Sequence, residues 1–134
     1  MKILIICSKS FYTNIPPVKE YLEANGHEIL LPNSYDNPGM EANLRGTEGH
    51  AEWKARMIKQ SEEKIKTVDA VLVLNLDKNG QKNYIGGATF LEIYDAFRMG
   101  KKIYFYNYIP EGMLKDELIG FSPICINQDL SKIK

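Results

Sequence analysis

One carboxylate stands out by its neighbours. Glu92 closes the stretch Gly86-Gly87-Ala88-Thr89-Phe90-Leu91-Glu92, a glycine turn that runs into a helix. Paired glycines let the chain turn tightly and let a ligand approach bare backbone. A carboxylate in the first turns of a helix lies near the positive end of its dipole, which favours the ionised form. A fixed, ionised carboxylate beside such a turn is a candidate nucleophile. The same spacing has a second reading, because Thr89-x-x-Glu92 is also a capping box that stabilises a helix start and does no chemistry. Both readings stay open, since a cap would also fix the carboxylate's rotamer.

The helix that must carry Glu92 is set by Phe90, Ile93 and Phe97, which recur at helical spacing and predict one apolar face. Glu92 lies about 140° around the helix from Phe97. Gly100 ends the helix and Lys102–Tyr106 reads as a strand. Upstream, Ile3-Leu4-Ile5-Ile6 and Val68–Leu74 are nearly unbroken apolar runs, the pattern of strands buried on both faces. His27–Pro32 and Pro123–Ile126 read as two shorter strands. Pro16-Pro17 suits the first turn of a helix that Gly26 stops. His50 to Lys66 reads as a helix with Ala51, Ala55, Ile58 and Ile65 on its apolar side, Trp53 and Met57 adjoining, and its charges on a solvated face. Between them, Asn33 to Gly49 reads as a long loop of the kind that serves as a lid or binding loop.

Strands alternating with helices predict a single α/β domain over residues 1–134. The expected architecture is a doubly wound, flavodoxin-like parallel sheet of five strands in the order 2-1-3-4-5, with helices on both faces. Ligands of such sheets bind outside the carboxyl ends of the strands, at the switch point between strands 1 and 3. The segments that emerge there are Ser8–Asn14, Asn75–Gly80, Gly86–Glu92 and Asn107–Tyr108. Topology thus puts Glu92 on the binding edge independently of its glycines, and puts Asp69 at the opposite edge.

Composition narrows the partners. The apolar fraction is 44% and the charged fraction 25%, with seventeen basic and seventeen acidic residues cancelling. There is no basic stripe for a nucleic-acid polymer and no apolar run long enough to cross a membrane. Cys7 and Cys125 read as small core residues of a reduced, cytoplasmic protein. His27 and His50 share no ligand spacing with nearby carboxylates, so no metal is expected, and no cofactor is invoked. Trp53, Met57, Tyr94 and Tyr104 exceed what a domain of this size is expected to bury, which predicts a homodimer or higher homo-oligomer.

Four blocks resemble the nucleoside 2-deoxyribosyltransferase superfamily, which includes hydrolases of 2-deoxynucleoside monophosphates. They are Ile3–Tyr12, Gly26–Pro32, Lys64–Leu74, and Gly87-Ala88-Thr89-Phe90-Leu91-Glu92-Ile93 with Ala96 and Gly100-Lys101-Lys102-Ile103 downstream. The last matches that family's Gly-x-Thr-x-x-Glu, whose glutamate is the nucleophile. The resemblance implies cleavage of an N-glycosidic bond, or deoxyribosyl transfer, on a nucleoside or nucleotide, with Glu92 capturing the sugar. Asp77 would then be the acid or a sugar-hydroxyl ligand and Asn75 an orienter, though both residue types also suit turns. Ser8 with its neighbours would hold a phosphate, and Phe11 and Tyr12 would stack on a base or pack beneath the adjacent loop. Gly86, Gly87, Thr89 and Asn107 complete the expected substrate contacts. Two other readings are an inactive nucleotide-binding or sensing domain of the same fold, and a flavodoxin-like or receiver-like module; a flavin reading would show as a yellow protein.

Overall fold

Alternation of buried side chains along each strand builds the centre of the molecule. A computed structural model describes residues 1–134. Strand β1 (Lys2–Ile6) sends Ile3, Ile5 and the following Cys7 to one face and Leu4 and Ile6 to the other. Strand β3 (Ala70–Val73) does the same with Ala70 and Leu72 against Val71 and Val73. Both faces are covered, so both strands carry continuous apolar sequence. With β2 (Glu28–Leu30), β4 (Lys102–Phe105) and β5 (Ile124–Cys125) they form one parallel sheet in the order β2-β1-β3-β4-β5. All four pairings are parallel, as the doubly wound expectation requires.

Helix α1 (Ile15–Ala24) packs Ile15, Val18 and Leu22 on one face. Helices α3 (Gly49–Lys66), α4 (Gly87–Arg98) and α5 (Lys115–Gly120) supply Ile65, Ile93, Ala96 and Leu118 to the other. The segment expected to be one long loop carries a short helix, α2 (Met40–Leu44). Asp69 lies at the amino ends of the strands and accepts the Lys2 amide at 2.8 Å. No helix is long and apolar enough to cross a membrane.

Two helix faces differ from the sequence expectation. On α3 the buried residues are Trp53, Ser61 and Ile65, while Ala51, Ala55 and Ile58 are exposed. The four-residue steps from Trp53 through Met57 and Ser61 to Ile65 are the stripe that turns inward. On α4, Ile93 is buried, Phe90 partly so, and Phe97 is 48% exposed. Trp53 and Tyr104 are buried within the single chain, which removes two of the four residues behind the expectation of an oligomer. Tyr94 stays 44% exposed.

Candidate functional site

A cavity of about 250 Å³ opens at the carboxyl ends of β1 and β3, where the strand order reverses. Its floor and walls come from Cys7, Ser8 and Tyr12 after β1, from Gly86, Gly87, Thr89 and Glu92 of α4, and from Met57 and Ser61 of α3. The fold brings these groups together because parallel strands release their connections on one edge. Of the residues chosen from sequence, Ser8, Tyr12, Gly86, Gly87, Thr89 and Glu92 line this cavity.

Four others do not line it. Phe11 is buried in the core, with its ring edge-on to Tyr84 at 6.5 Å. Asp77 is exposed and accepts the Asn83 amide at 3.1 Å, which closes its own loop. Asn75 is fully buried. Its Nδ2 donates to the carbonyls of Asn107 (3.3 Å) and Tyr108 (2.9 Å), and its Oδ1 accepts the Asn107 amide at 2.8 Å. Asn107 returns the contact, Nδ2 to the Asn75 carbonyl at 3.1 Å. Asn75 and Asn107 are therefore a clamp between the ends of β3 and β4, and Asp77 is a turn residue.

The capping box does not form. The N-cap of α4 is Gly86, without a side-chain cap, and Thr89 lies buried in the first turn. Glu92 is one turn further in, where its Oε2 accepts the Ser61 hydroxyl at 2.9 Å. Neither Gly86 nor Gly87 has a positive φ. Gly86 keeps the Tyr84 ring close instead, since a Cβ there would stand 3.2 Å from the Tyr84 hydroxyl and the ring would have to give by a few tenths of an ångström. With no cap, the amides of Gly87, Ala88 and Thr89 meet no acceptor in the chain and face outward from the helix start.

Electrostatics set the state of the carboxyl. Burial pushes Glu92 up to about 7, against the opposing pull of the Ser61 hydrogen bond and the Lys64 and Lys54 charges, with Asp95 adding to the rise. Enclosure thus outweighs the helix dipole on which the sequence reading relied. Near neutrality the group is part acid and part carboxylate, the state suited to proton transfer and not to a permanently charged nucleophile. Burial, and then Glu92, push the Cys7 thiol up to about 12, so it supplies no thiolate. The Tyr12 hydroxyl is raised by burial first and by the charges around it.

The rim is cationic. Lys9, Arg45, Lys54 and Lys78 line the cavity, against the two carboxyls Glu41 and Glu92. Lys78 Nζ lies 4.7 Å from the centre of the Tyr84 ring and 3.4 Å from the Ser8 hydroxyl. Glu41 on α2 meets His50 Nε2 and Lys54 Nζ, each at 3.0 Å. Burial pushes the Glu41 carboxyl up, but these two hydrogen bonds and the nearby cations outweigh it and hold it below the usual range. Sequence reasoning missed Asn33, Glu41, Arg45, Lys54 and Ser61. The length of the Asn33–Gly49 segment was the only signal for Asn33, Glu41 and Arg45, and nothing in the sequence marked Lys54 or Ser61, which lie on α3.

No family model matches the chain, and no curated protein does. Solved structures do. FerB, a flavoenzyme NAD(P)H:(acceptor) oxidoreductase from Paracoccus denitrificans, is similar over 94% of this chain and 75% of its own, with a TM-score of 0.52 and 17% identity. The likeness shows the fold. It also corrects the resemblance drawn from sequence, because the matched chain is a flavoenzyme oxidoreductase and not a nucleoside 2-deoxyribosyltransferase. N-glycosidic cleavage, deoxyribosyl transfer, and the inactive nucleotide-binding alternative fall with that resemblance. The physical reason is that its motif encodes features any pocket of this fold can use. They are a glycine beside a bulky Tyr84, a small buried Thr89 and an acidic side chain turned into the cavity.

Proposed function

We propose that this cavity is the active site of a small-molecule enzyme in which Glu92 transfers protons, and that the reaction is a redox one on an anionic, ring-bearing ligand. The observation that carries the reading is a carboxyl poised at about 7 on the floor of a cation-rimmed cavity. The redox class comes from FerB, a flavoenzyme NAD(P)H:(acceptor) oxidoreductase. This is an analogy at the level of fold.

The residues fit a flavin at one end of the site and not at the other. Helix α1 offers no phosphate cradle, because Pro16 and Pro17 fill its first turn and the Ile15 amide is spent on the Tyr12 carbonyl. Helix α4 supplies three unpaired amides at the cavity, with Lys78 and Lys9 on its walls. Tyr12 and Tyr84 supply aromatic surface for a ring. A flavin, when bound, supplies hydride and electron transfer. The chain's own part is to hold the anionic group at α4 and to give or take the accompanying proton at Glu92. The two free cysteines support a cytoplasmic setting for this chemistry.

Titrating the purified protein with flavin mononucleotide tests the reading. Quenched flavin fluorescence at micromolar protein, and anaerobic bleaching of the bound flavin by NADH or NADPH, are the expected results. No quenching at high micromolar flavin would sink the redox reading.

We infer self-association as well. Tyr94 and Phe97 on α4 meet Phe121 after α5, at centroid distances of 6.2 and 5.2 Å, and the first two stay exposed. Such an apolar patch suits a second copy of the chain. Sedimentation should give a dimer for the parent and a monomer for Phe97→Glu. A monomeric parent at micromolar concentration would remove this inference.

A further inference from the structure

Glu92 is held from outside its own helix, and the direction of that hold can be deduced. Asn33, in the segment after β2, donates Nδ2 to the Met57 carbonyl at 2.9 Å and to the Ser61 hydroxyl oxygen at 2.8 Å. The reversed amide is excluded, because it would set Oδ1 against the Met57 carbonyl oxygen with no proton between them. Asn33 therefore gives a proton to Ser61, and the single Ser61 hydroxyl proton is left for another acceptor. In a helix that acceptor is often the carbonyl four residues back. Here it is the Met57 carbonyl, which already takes the Asn33 amide besides its own helical hydrogen bond. The hydroxyl is turned instead to Glu92 Oε2 at 2.9 Å. Ser61 is only 6% exposed, so no bulk water competes for it.

The other Glu92 oxygen is in a different position. Oε1 has no hydrogen-bond partner in the chain, and the one buried side-chain polar atom that is sealed off without a partner is Asn33 Oδ1. Oε1 therefore keeps access to the cavity that Glu92 lines.

We propose that Asn33 and Ser61 are positioning residues that fix Glu92 Oε2 as a permanent hydrogen-bond acceptor and leave the exchangeable proton on Oε1, facing the ligand. The relay gives the carboxyl one reactive oxygen and one anchored oxygen, so the proton is delivered from a single place. Other charged and titratable groups act on Glu92 from every side. Lys54 and Lys64 on α3 and Asp95 on α4 act on its charge, and Cys7 after β1 and Tyr12 are coupled to it. All of these remain when Ser61 is changed.

This inference deepens the reading of Glu92 as the proton-transfer group, but its test reads the carboxyl itself and needs no ligand. Either can fail without the other. The experiment is a pH titration of the Glu92 side-chain carboxyl by carbon-13 NMR in the full chain. The Ser61 hydrogen bond favours the ionised form, so Ser61→Ala should raise the midpoint by about one to two pH units. Ser61→Thr, which keeps the hydroxyl, should restore the parent midpoint. Asn33→Ala should raise it by less, because the Ser61 hydroxyl survives and merely loses its orientation. A merely structural role for Ser61 would lower stability and leave the midpoint in place. An unchanged midpoint in a folded Ser61→Ala protein overturns the proposal. Should that variant fail to fold, Ser61→Cys, a weaker donor of similar shape, must still raise the midpoint, and no rise there overturns it equally.

Discussion

Glu92→Gln is expected to make the protein more stable and to remove its activity. In the unfolded chain the carboxyl titrates near its ordinary value of 4.5, and in the folded chain at about 7. Between those values the folded state binds a proton that the unfolded state has already lost. The group's contribution is therefore fully present below pH 4.5, and stability falls as pH rises through about 7. Above that window the native protein carries a partly buried carboxylate at a cost on the order of 3 kcal/mol. Gln keeps an oxygen for the Ser61 hydroxyl and cannot ionise, so it escapes the cost. Melting curves at pH 8.5 should show the variant higher by roughly 10 °C, and curves near pH 4 should show no gain. Turnover of the proposed reaction should drop about 10²–10⁴-fold, the usual share of a general acid or base. An equal melting-point change at both pH values would mean that Glu92 does not titrate in the raised range.

Asn75→Leu is expected to be the most damaging single change at the edge of the sheet. Asn75 is wholly enclosed and makes three side-chain hydrogen bonds to backbone groups of Asn107 and Tyr108. Leucine has a similar size and satisfies none of them. The Asn107 amide and two carbonyls would lose their partner in a part-buried setting, at about 1–3 kcal/mol for each group left unpaired. A loss on the order of 3–5 kcal/mol is a large part of the roughly 5–15 kcal/mol that holds a domain together. Urea unfolding should show a lower midpoint with an unchanged slope. The Glu92 titration in the folded variant should stay where it is in the parent. A shifted Glu92 titration would return Asn75 to the active site, where the sequence alone had placed it.

Some of this was legible from residues in order. The unbroken runs Ile3–Ile6 and Val71–Leu74 state that two strands are buried on both faces, and alternating helices then predict parallel crossovers, for which 2-1-3-4-5 is the simplest doubly wound order and the one observed. That order places the ends of β1 and β3 side by side. Local sequence was therefore enough to bring Ser8, Tyr12, Gly86, Gly87, Thr89 and Glu92 to one cavity. These are properties of period and connection, which a linear string carries in full.

Tertiary structure decided the rest, because it depends on which way a side chain turns when two elements meet. The charges of α3 read as a solvated face, yet Lys54 lines the cavity and Lys64 is half-buried, its Nζ on the Leu31 carbonyl at 2.8 Å. A helix pattern shows that a face is polar, not whether water or a neighbouring pocket lies against it. Asn75 and Asp77 leave the same strand two residues apart. One is sealed into a backbone clamp and the other closes a turn, a difference set by the packing of the Asn107 segment. Thr89-x-x-Glu92 has the letters of a cap, but the N-cap is Gly86, three residues before Thr89, and Glu92 reaches across to Ser61. The raised pKa of Glu92 follows first from that enclosure, with Asp95 adding to it. Helix position predicted a carboxylate held ionised, and burial outweighed the dipole, because desolvation acts on the whole charge while the dipole offers only a partial one.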